Sequence, residues 1–204
     1  MARPAEFDRN DVLDKAMAVF WRTGYSATSV TDLVRATNLK PGSLYGAFNS
    51  KRGLFMEVID TYAERSLARI NDCIAEAESP LEAVHRFVWR IATEVGKDEI
   101  GKGCLMVNTL LELATEDEEI RIVVTSYLAK IEERLRQTIC LAQENGELCD
   151  DADSAALAKL LMTGIWGLRV MSTTRPDPAI YPSIVTHMLS ALPQTSQKTY
   201  TLSH

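Results

Sequence analysis

The sequence predicts an all-α protein with a small helical head over residues 1–50, an N-terminal three-helix helix-turn-helix, followed by a larger helical body over 51–192. Three observations predict this. Apolar residues recur at helical spacing along nearly the whole chain. No stretch alternates apolar and polar residues with period two, and the single Asn145-Gly146 pair closes a long helical pattern, so it reads as a helix end rather than a hairpin. Helix-starting and helix-stopping residues punctuate the chain at short intervals, giving about nine helices. A polar, aperiodic tail over 193–204 is expected to be disordered.

The first helix is expected from about Asp8 to Thr23, with Leu13, Ala16 and Phe20 on one stripe and Gly24 as its stop. Ser29-Val30-Thr31-Asp32 has the form of a capping box and starts a short second helix ending near Thr37. Pro41 suits the first position of a third helix, anchored by Leu44 and Phe48. Ser50 caps a long fourth helix through Leu54, Phe55, Val58, Ile59 and Tyr62. Ser79-Pro80 opens a fifth, and Gly96 to Gly103 form a polar break. Further helices are expected over Leu105–Ala114, Glu116–Asn145, Asp153–Ser172 and Pro178–Leu192.

Composition bounds the function. A 46% hydrophobic content is ample for a core, and no apolar run nears the ~20 residues that span a bilayer. No signal-peptide pattern opens the chain, so a cytoplasmic protein with no membrane partner is expected. Cys73, Cys104, Cys140 and Cys149 stand far apart, without a Cys-x-x-Cys pair or a Cys/His cluster, which predicts reduced thiols and no metal or cofactor. No phosphate loop or nucleophile–base–orienter set is present, which counts against an enzyme built on His85, Glu112 or Cys104. The net charge of −6 conceals an asymmetry: residues 1–55 hold eight basic and five acidic groups, a net +3, leaving −9 on the rest. A basic head on an acidic body suits a polyanion touching one end.

Residues 29–48 have the proportions of a helix-turn-helix, with Asn38-Leu39-Lys40 as the turn. Around them lie Phe20, then Gly24-Tyr25-Ser26-Ala27-Thr28-Ser29-Val30-Thr31-Asp32-Leu33, then Gly42-Ser43-Leu44-Tyr45-Gly46-Ala47-Phe48-Asn49-Ser50-Lys51-Arg52-Gly53-Leu54-Phe55. This series resembles the head of the TetR/AcrR family of repressors over about 45 residues. The sequence departs from that pattern at Pro41, where many members carry Lys or Arg, at Gly46-Ala47, which replace an aromatic-His pair, and at Lys40, where Ser or Thr is frequent.

The resemblance implies double-stranded operator DNA as partner, a small-molecule effector held by the body, and a homodimer built by the last two helices. Thr28 and Ser29 stand at a helix N-terminus, where free N–H groups favour phosphate, and Ser50-Lys51 repeat that arrangement. Lys40, Pro41, Gly42 and Ser43 lie at the end of the recognition helix that meets base edges, Gly42 permitting close approach. Tyr45 is a position whose hydroxyl, in the family, usually reaches the DNA backbone. The DNA-contact residues expected are therefore Thr28, Ser29, Lys40, Pro41, Gly42, Ser43, Tyr45 and Lys51.

Ligand-binding residues expected in the body are His85, Trp89, Cys104, Asn108 and Trp166, although each also suits ordinary packing. Cys104, at an expected helix N-terminus, also suits a redox- or electrophile-sensing thiol. A helical ligand-binding module that never touches DNA is the other alternative, and it leaves Thr28, Tyr45 and Lys51 without a task. Helix four, as the one continuous element joining head and body, is the expected lever between them.

Overall fold

A computed structural model describes residues 7–195. The described residues form α1 (Arg9–Thr23), α2 (Val30–Thr37), α3 (Pro41–Phe48), α4 (Lys51–Glu76), α5 (Pro80–Gly96), α6 (Leu105–Leu113), α7 (Glu118–Glu144), α8 (Ser154–Ser172) and α9 (Ile180–Ser190). Local chemistry sets most of these boundaries. Asp8 caps α1 by accepting from the Asn10 and Asp11 amides, and Asp153 caps α8 in the same way. Such caps satisfy N–H groups the helix cannot, and each contributes about 1 kcal/mol. The expected capping box at Ser29 and Asp32 is complete in both directions. Pro41 and Pro80 both open helices, and Ser79 caps the second of them.

Among the described residues the strand content is one isolated antiparallel bridge, Leu148 to Gln194. It corrects the expectation for the tail. Cys149 donates to the Pro193 carbonyl and Thr195 to the Glu147 carbonyl, so residues 193–195 are tied to the turn after α7. Leu148 in the bridge and Leu192 just before it in the chain are both buried. The rest of the expected tail, 196–204, lies outside the described residues. A second correction concerns α9, which starts at Ile180 rather than Pro178. Asp177 accepts from the Ala179 amide and its carbonyl from Ile180, so this stretch forms a turn before the helix.

The chain divides into two compact units, which do not separate at residue 50. The first takes the described part of Met1–Ala68 with Ile100–Lys130, and the second Arg69–Glu99 with the described part of Ile131–His204. Helix four is therefore not the one continuous connection: α4 and α7 each contribute residues to both units. In the first unit Val12, Leu13, Ala16 and Phe20 of α1 are buried with Leu33, Leu44 and Phe48 of the next two helices and Leu54, Phe55, Val58 and Ile59 of α4. Phe20 and Phe55 meet edge to face, with ring centroids 4.9 Å apart. Trp21 packs edge-on against Tyr62 and donates its indole N–H to the Lys102 carbonyl at 3.0 Å. These long-range contacts draw residues 100–130 into one body with the head.

In the second unit Val84, Phe87, Val88, Ile91 and Val95 of α5 are buried with Leu161, Ile165 and Leu168 of α8 and Val185 and Leu189 of α9. Arg169, almost fully buried on α8, donates to Glu94 of α5 at 3.0 Å, which neutralises a cation that burial would otherwise make costly.

Candidate nucleic-acid interface and ligand sites

The helix-turn-helix is set by residues that leave its solvent face almost bare. Asn38 ends α2 in the left-handed conformation (φ 58°, ψ 22°), a backbone state that Asn tolerates better than most residues. Lys40 precedes α3 in extended backbone and makes no cap hydrogen bond, so its ammonium is free to reach outward. Leu44 and Phe48 point into the unit, while Pro41, Gly42, Ser43, Tyr45 and Gly46 are exposed. Tyr45 leaves 44% of its surface open. A methyl group at Gly42 would meet nothing within 4 Å, so the glycine leaves the helix face flat without being required by the protein's own packing.

Two of the expected contact residues have tasks inside the protein. Thr28 is buried, and its hydroxyl donates to the Gly24 carbonyl at 2.5 Å and lies 2.6 Å from that of Thr23. It holds the turn, and only its neighbour Ser29 faces solvent. The Lys51 ammonium donates to the Tyr25 carbonyl at 2.9 Å and the Thr28 carbonyl at 2.8 Å, and sits 4.3 Å from the Tyr25 ring centre. These partners occupy the charge that the sequence assigns to phosphate.

Two cations that the sequence pattern does not single out stand in a more open setting. Within the described residues of the first unit, Arg9 pairs with Glu57, Lys15 with Asp11, Arg52 with Asp117 and Glu119, and Arg65 with Asp14. Arg22, Arg35 and Lys40 are exposed and, among the described residues, have neither an ion pair nor a hydrogen bond. They stand in the last turn of α1, the last turn of α2 and the position before α3. The Asp32 carboxyl lies below the usual range, first through its bonds with Ser29 and further through the fields of Arg35 and Arg22. Both guanidinium groups therefore act near the start of α2. The sequence signal available for them was only that each lacks an acidic residue at helical i±4 spacing.

The expected ligand residues do not form one set within either unit. Cys104 and Asn108 belong to the first: the Cys104 thiol is buried and 3.7 Å from the Tyr62 hydroxyl, which donates to it, and Asn108 donates to the Lys102 carbonyl at 2.9 Å. His85, Trp89 and Trp166 belong to the second. His85 and Trp89 line a hollow of about 260 Å³ with Thr186, Leu189, Ser190 and Gln194. The His85 Nε2 is buried without a partner among the described residues, and burial holds this imidazole below its ordinary pKa. Half-buried Trp166 on α8 lines neither this hollow nor the larger groove of about 520 Å³ between α8 and α9. Among the described residues no His, Cys, Asp and Glu cluster could hold a metal ion, and no helix is long and apolar enough to cross a membrane.

Comparison with known proteins fits this geometry. Residues 12–58 match the family described as bacterial regulatory proteins, tetR family, and residues 80–188 match the tetracyclin repressor-like C-terminal domain. The chain is 36% identical over 169 residues to the HTH-type transcriptional repressor ComR of Escherichia coli strain K12, covering 82% of this chain and 80% of that one. It is 29% identical over 162 residues to the uncharacterized HTH-type transcriptional regulator YezE of Bacillus subtilis strain 168, covering 79% and 84%. Among solved structures, a cysteine mutant of the TetR family transcriptional regulator CifR, complexed with 26-bp double-strand operator DNA, superposes with a TM-score of 0.84 at 31% identity. That match covers 94% of this chain and all of the other. The helix-turn-helix, the helical body and both family matches converge, and this chain belongs to the TetR family of transcriptional regulators.

Proposed function

We propose that this DNA-binding regulator is a homodimeric, cytoplasmic repressor that grips double-stranded operator DNA with the edge formed by the end of α1, α2 and α3, and releases it when a small molecule binds. The observation that carries the reading is the placement of charge: among the described residues, Arg22, Arg35 and Lys40, at the edge of the helix-turn-helix, are exposed and hold no ion pair or hydrogen bond. An unpaired guanidinium binds phosphate without first breaking a salt bridge, and each phosphate neutralised releases counterions from the duplex. Arg22 and Arg35 are the phosphate contacts, Lys40 reads a base edge, and Ser43 and Tyr45 supply hydrogen bonds, joined by Ser29 where its hydroxyl turns from Asp32 to phosphate. Pro41 and Gly42 contribute shape rather than hydrogen bonds from their side chains.

Dimerisation is supported by apolar surface on α8 and α9. Leu161, Ile165, Leu168, Val185 and Leu189 are buried, yet Leu160 is 51% exposed and Val170 46% exposed. Leu160, Ile184 and Met188 line the groove between these helices, whose close packing places Met188 where a side chain at Gly164 would go. A second copy of the chain would cover this face, and two heads would read two half-sites.

For the effector, the hollow beside His85 and Trp89 is the proposed site, since an indole face and an unsatisfied imidazole nitrogen suit a small aromatic or polar organic molecule. Cys104, Asn108 and Trp166 are the sites to test next. Electrophoretic shift with genomic fragments flanking the coding region, repeated over a salt series, tests the reading. A salt-sensitive complex with one fragment is expected, and no shift with any fragment would overturn it.

A further inference from the structure

Glu112, on α6, lies outside the helix-turn-helix in sequence, yet its carboxylate is bound to the turn that joins α1 to α2. Oε2 accepts from the Tyr25 amide at 3.0 Å and Oε1 from the Ser26 amide at 2.7 Å. From the other charge type, Lys51 of α4 donates to the carbonyls of Tyr25 and Thr28 in the same turn. The turn of five residues, Gly24 to Thr28, is thus held by an anion on its amides and a cation on its carbonyls. Gly24 fits both demands of this arrangement. Its φ of 79° is one that L side chains rarely adopt, and a Cβ there would lie 2.7 Å from Glu112 Oε2.

We infer that Glu112 is a positioning residue of the DNA-reading head, which with Lys51 clamps the turn between α1 and α2; the inference rests on the reading of that head as the DNA interface. The turn sets how α2 is held against α1, and the far end of α2 leads directly to Lys40, the proposed base reader, and to α3. Charge-assisted hydrogen bonds to backbone amides are about twice as strong as neutral ones, so a carboxylate holds the turn better than a neutral acceptor would. Burial pushes the Glu112 carboxyl up, but the Ser26 and Tyr25 amides, the Ser26 hydroxyl and Lys51 outweigh it and leave the group below its usual range. At neutral pH the clamp is fully charged.

The clamp assigns Lys51 a different signature from that of a phosphate contact. A lost phosphate contact weakens operator and random DNA alike and flattens the salt slope by about one. A lost clamp misplaces the head, which weakens operator binding selectively and leaves the slope unchanged. The experiment measures operator and random-fragment affinity across a KCl series for the full chain, Glu112→Gln, Lys51→Met and the double variant. Gln offers one acceptor oxygen where two are used and turns an NH2 toward an amide N–H. Each single variant should lose on the order of tenfold on operator and little on random DNA, with the double no worse than the weaker single, because both hold the same turn. Parental operator affinity in Glu112→Gln, or a slope reduced by about one in Lys51→Met with unchanged specificity, overturns the clamp. Should a variant fail to fold, hydrogen exchange in the parent protein decides: the clamp requires slowed Tyr25 and Ser26 amides, and free-peptide rates there overturn it. No shift by the parent on any fragment would sink the DNA reading instead, while the exchange result would still judge the clamp.

Discussion

The two units leave different things unsatisfied. In the first, among the described residues, Arg9, Lys15, Arg52 and Arg65 are paired within the protein, whereas Arg22, Arg35 and Lys40 at the edge of the helix-turn-helix are exposed with no ion pair or hydrogen bond. In the second, ion pairs such as Glu133–Arg136, which holds the Glu133 carboxyl at about 2, lie beside apolar surface left open on α8 and α9. Unpaired cations on rigid helix ends suit a polyanion, whereas uncovered leucine, valine and methionine suit another apolar face. Under the proposed function the two surfaces take different partners, and substitutions can alter each one separately.

The largest effect is expected from the apolar surface. Leu160→Asp with Met188→Asp should give a folded monomer by analytical ultracentrifugation. With one head per molecule, operator affinity should fall by roughly 100-fold or more, since the second half-site is no longer held at high effective concentration. A dimer of unchanged affinity would place the interface elsewhere.

Next come the cations. Arg22→Ala with Arg35→Ala should lower the salt slope by about two and weaken operator and random DNA alike, whereas Arg9→Ala, which breaks an internal pair, should leave the slope unchanged. A slope that does not move in the double variant removes both arginines from the interface.

Lys40→Ala sharpens the division between positioning and reading. It should cost on the order of 1–3 kcal/mol on operator and relax preference at one position per half-site. Equal losses on all sequences would make Lys40 a third phosphate contact.

For the effector sites, a ligand that releases DNA should quench tryptophan emission over the same concentration range, and Trp89→Phe should remove most of that change. Trp21 and Trp166 emit as well, so the difference between parent and variant is the informative signal. Cys104→Ser should leave both DNA affinity and the ligand response intact if the thiol is packing beneath Tyr62. Loss of a response to electrophiles in that variant would instead make Cys104 the sensor.

The smallest effect concerns acid. Burial holds His85 below its ordinary pKa, so the folded chain resists a proton that the unfolded chain accepts. Stability should therefore be full above about pH 6.5 and decline as pH falls from there toward the lowered folded value. Urea midpoints between pH 7.5 and 5.5 should show this decline, and His85→Phe should flatten it.

What the sequence determined by itself was local. Ser29 with Asp32, Pro41, Ser79-Pro80 and Gly24 each act through groups within four residues, so they set the helix boundaries wherever the chain folds. The helix-turn-helix pattern, being a run of such signals at fixed spacing, was legible for the same reason. Interactions between elements were not. Glu132 and Arg136 stand at the four-residue spacing of a helical ion pair, yet Arg136 binds Glu133 and Glu132 binds Lys159. Nothing in the sequence divides the ligand residues between units, or ties Glu112 to the amides of Tyr25 and Ser26, 87 and 86 residues away. Whether a lysine is free for phosphate or already bound to carbonyls depends on which backbone groups the fold brings within about 3 Å of its ammonium. Tertiary structure alone decides that, and it is why the Lys51 ammonium is held by the Tyr25 and Thr28 carbonyls while Arg22 and Arg35 stand exposed.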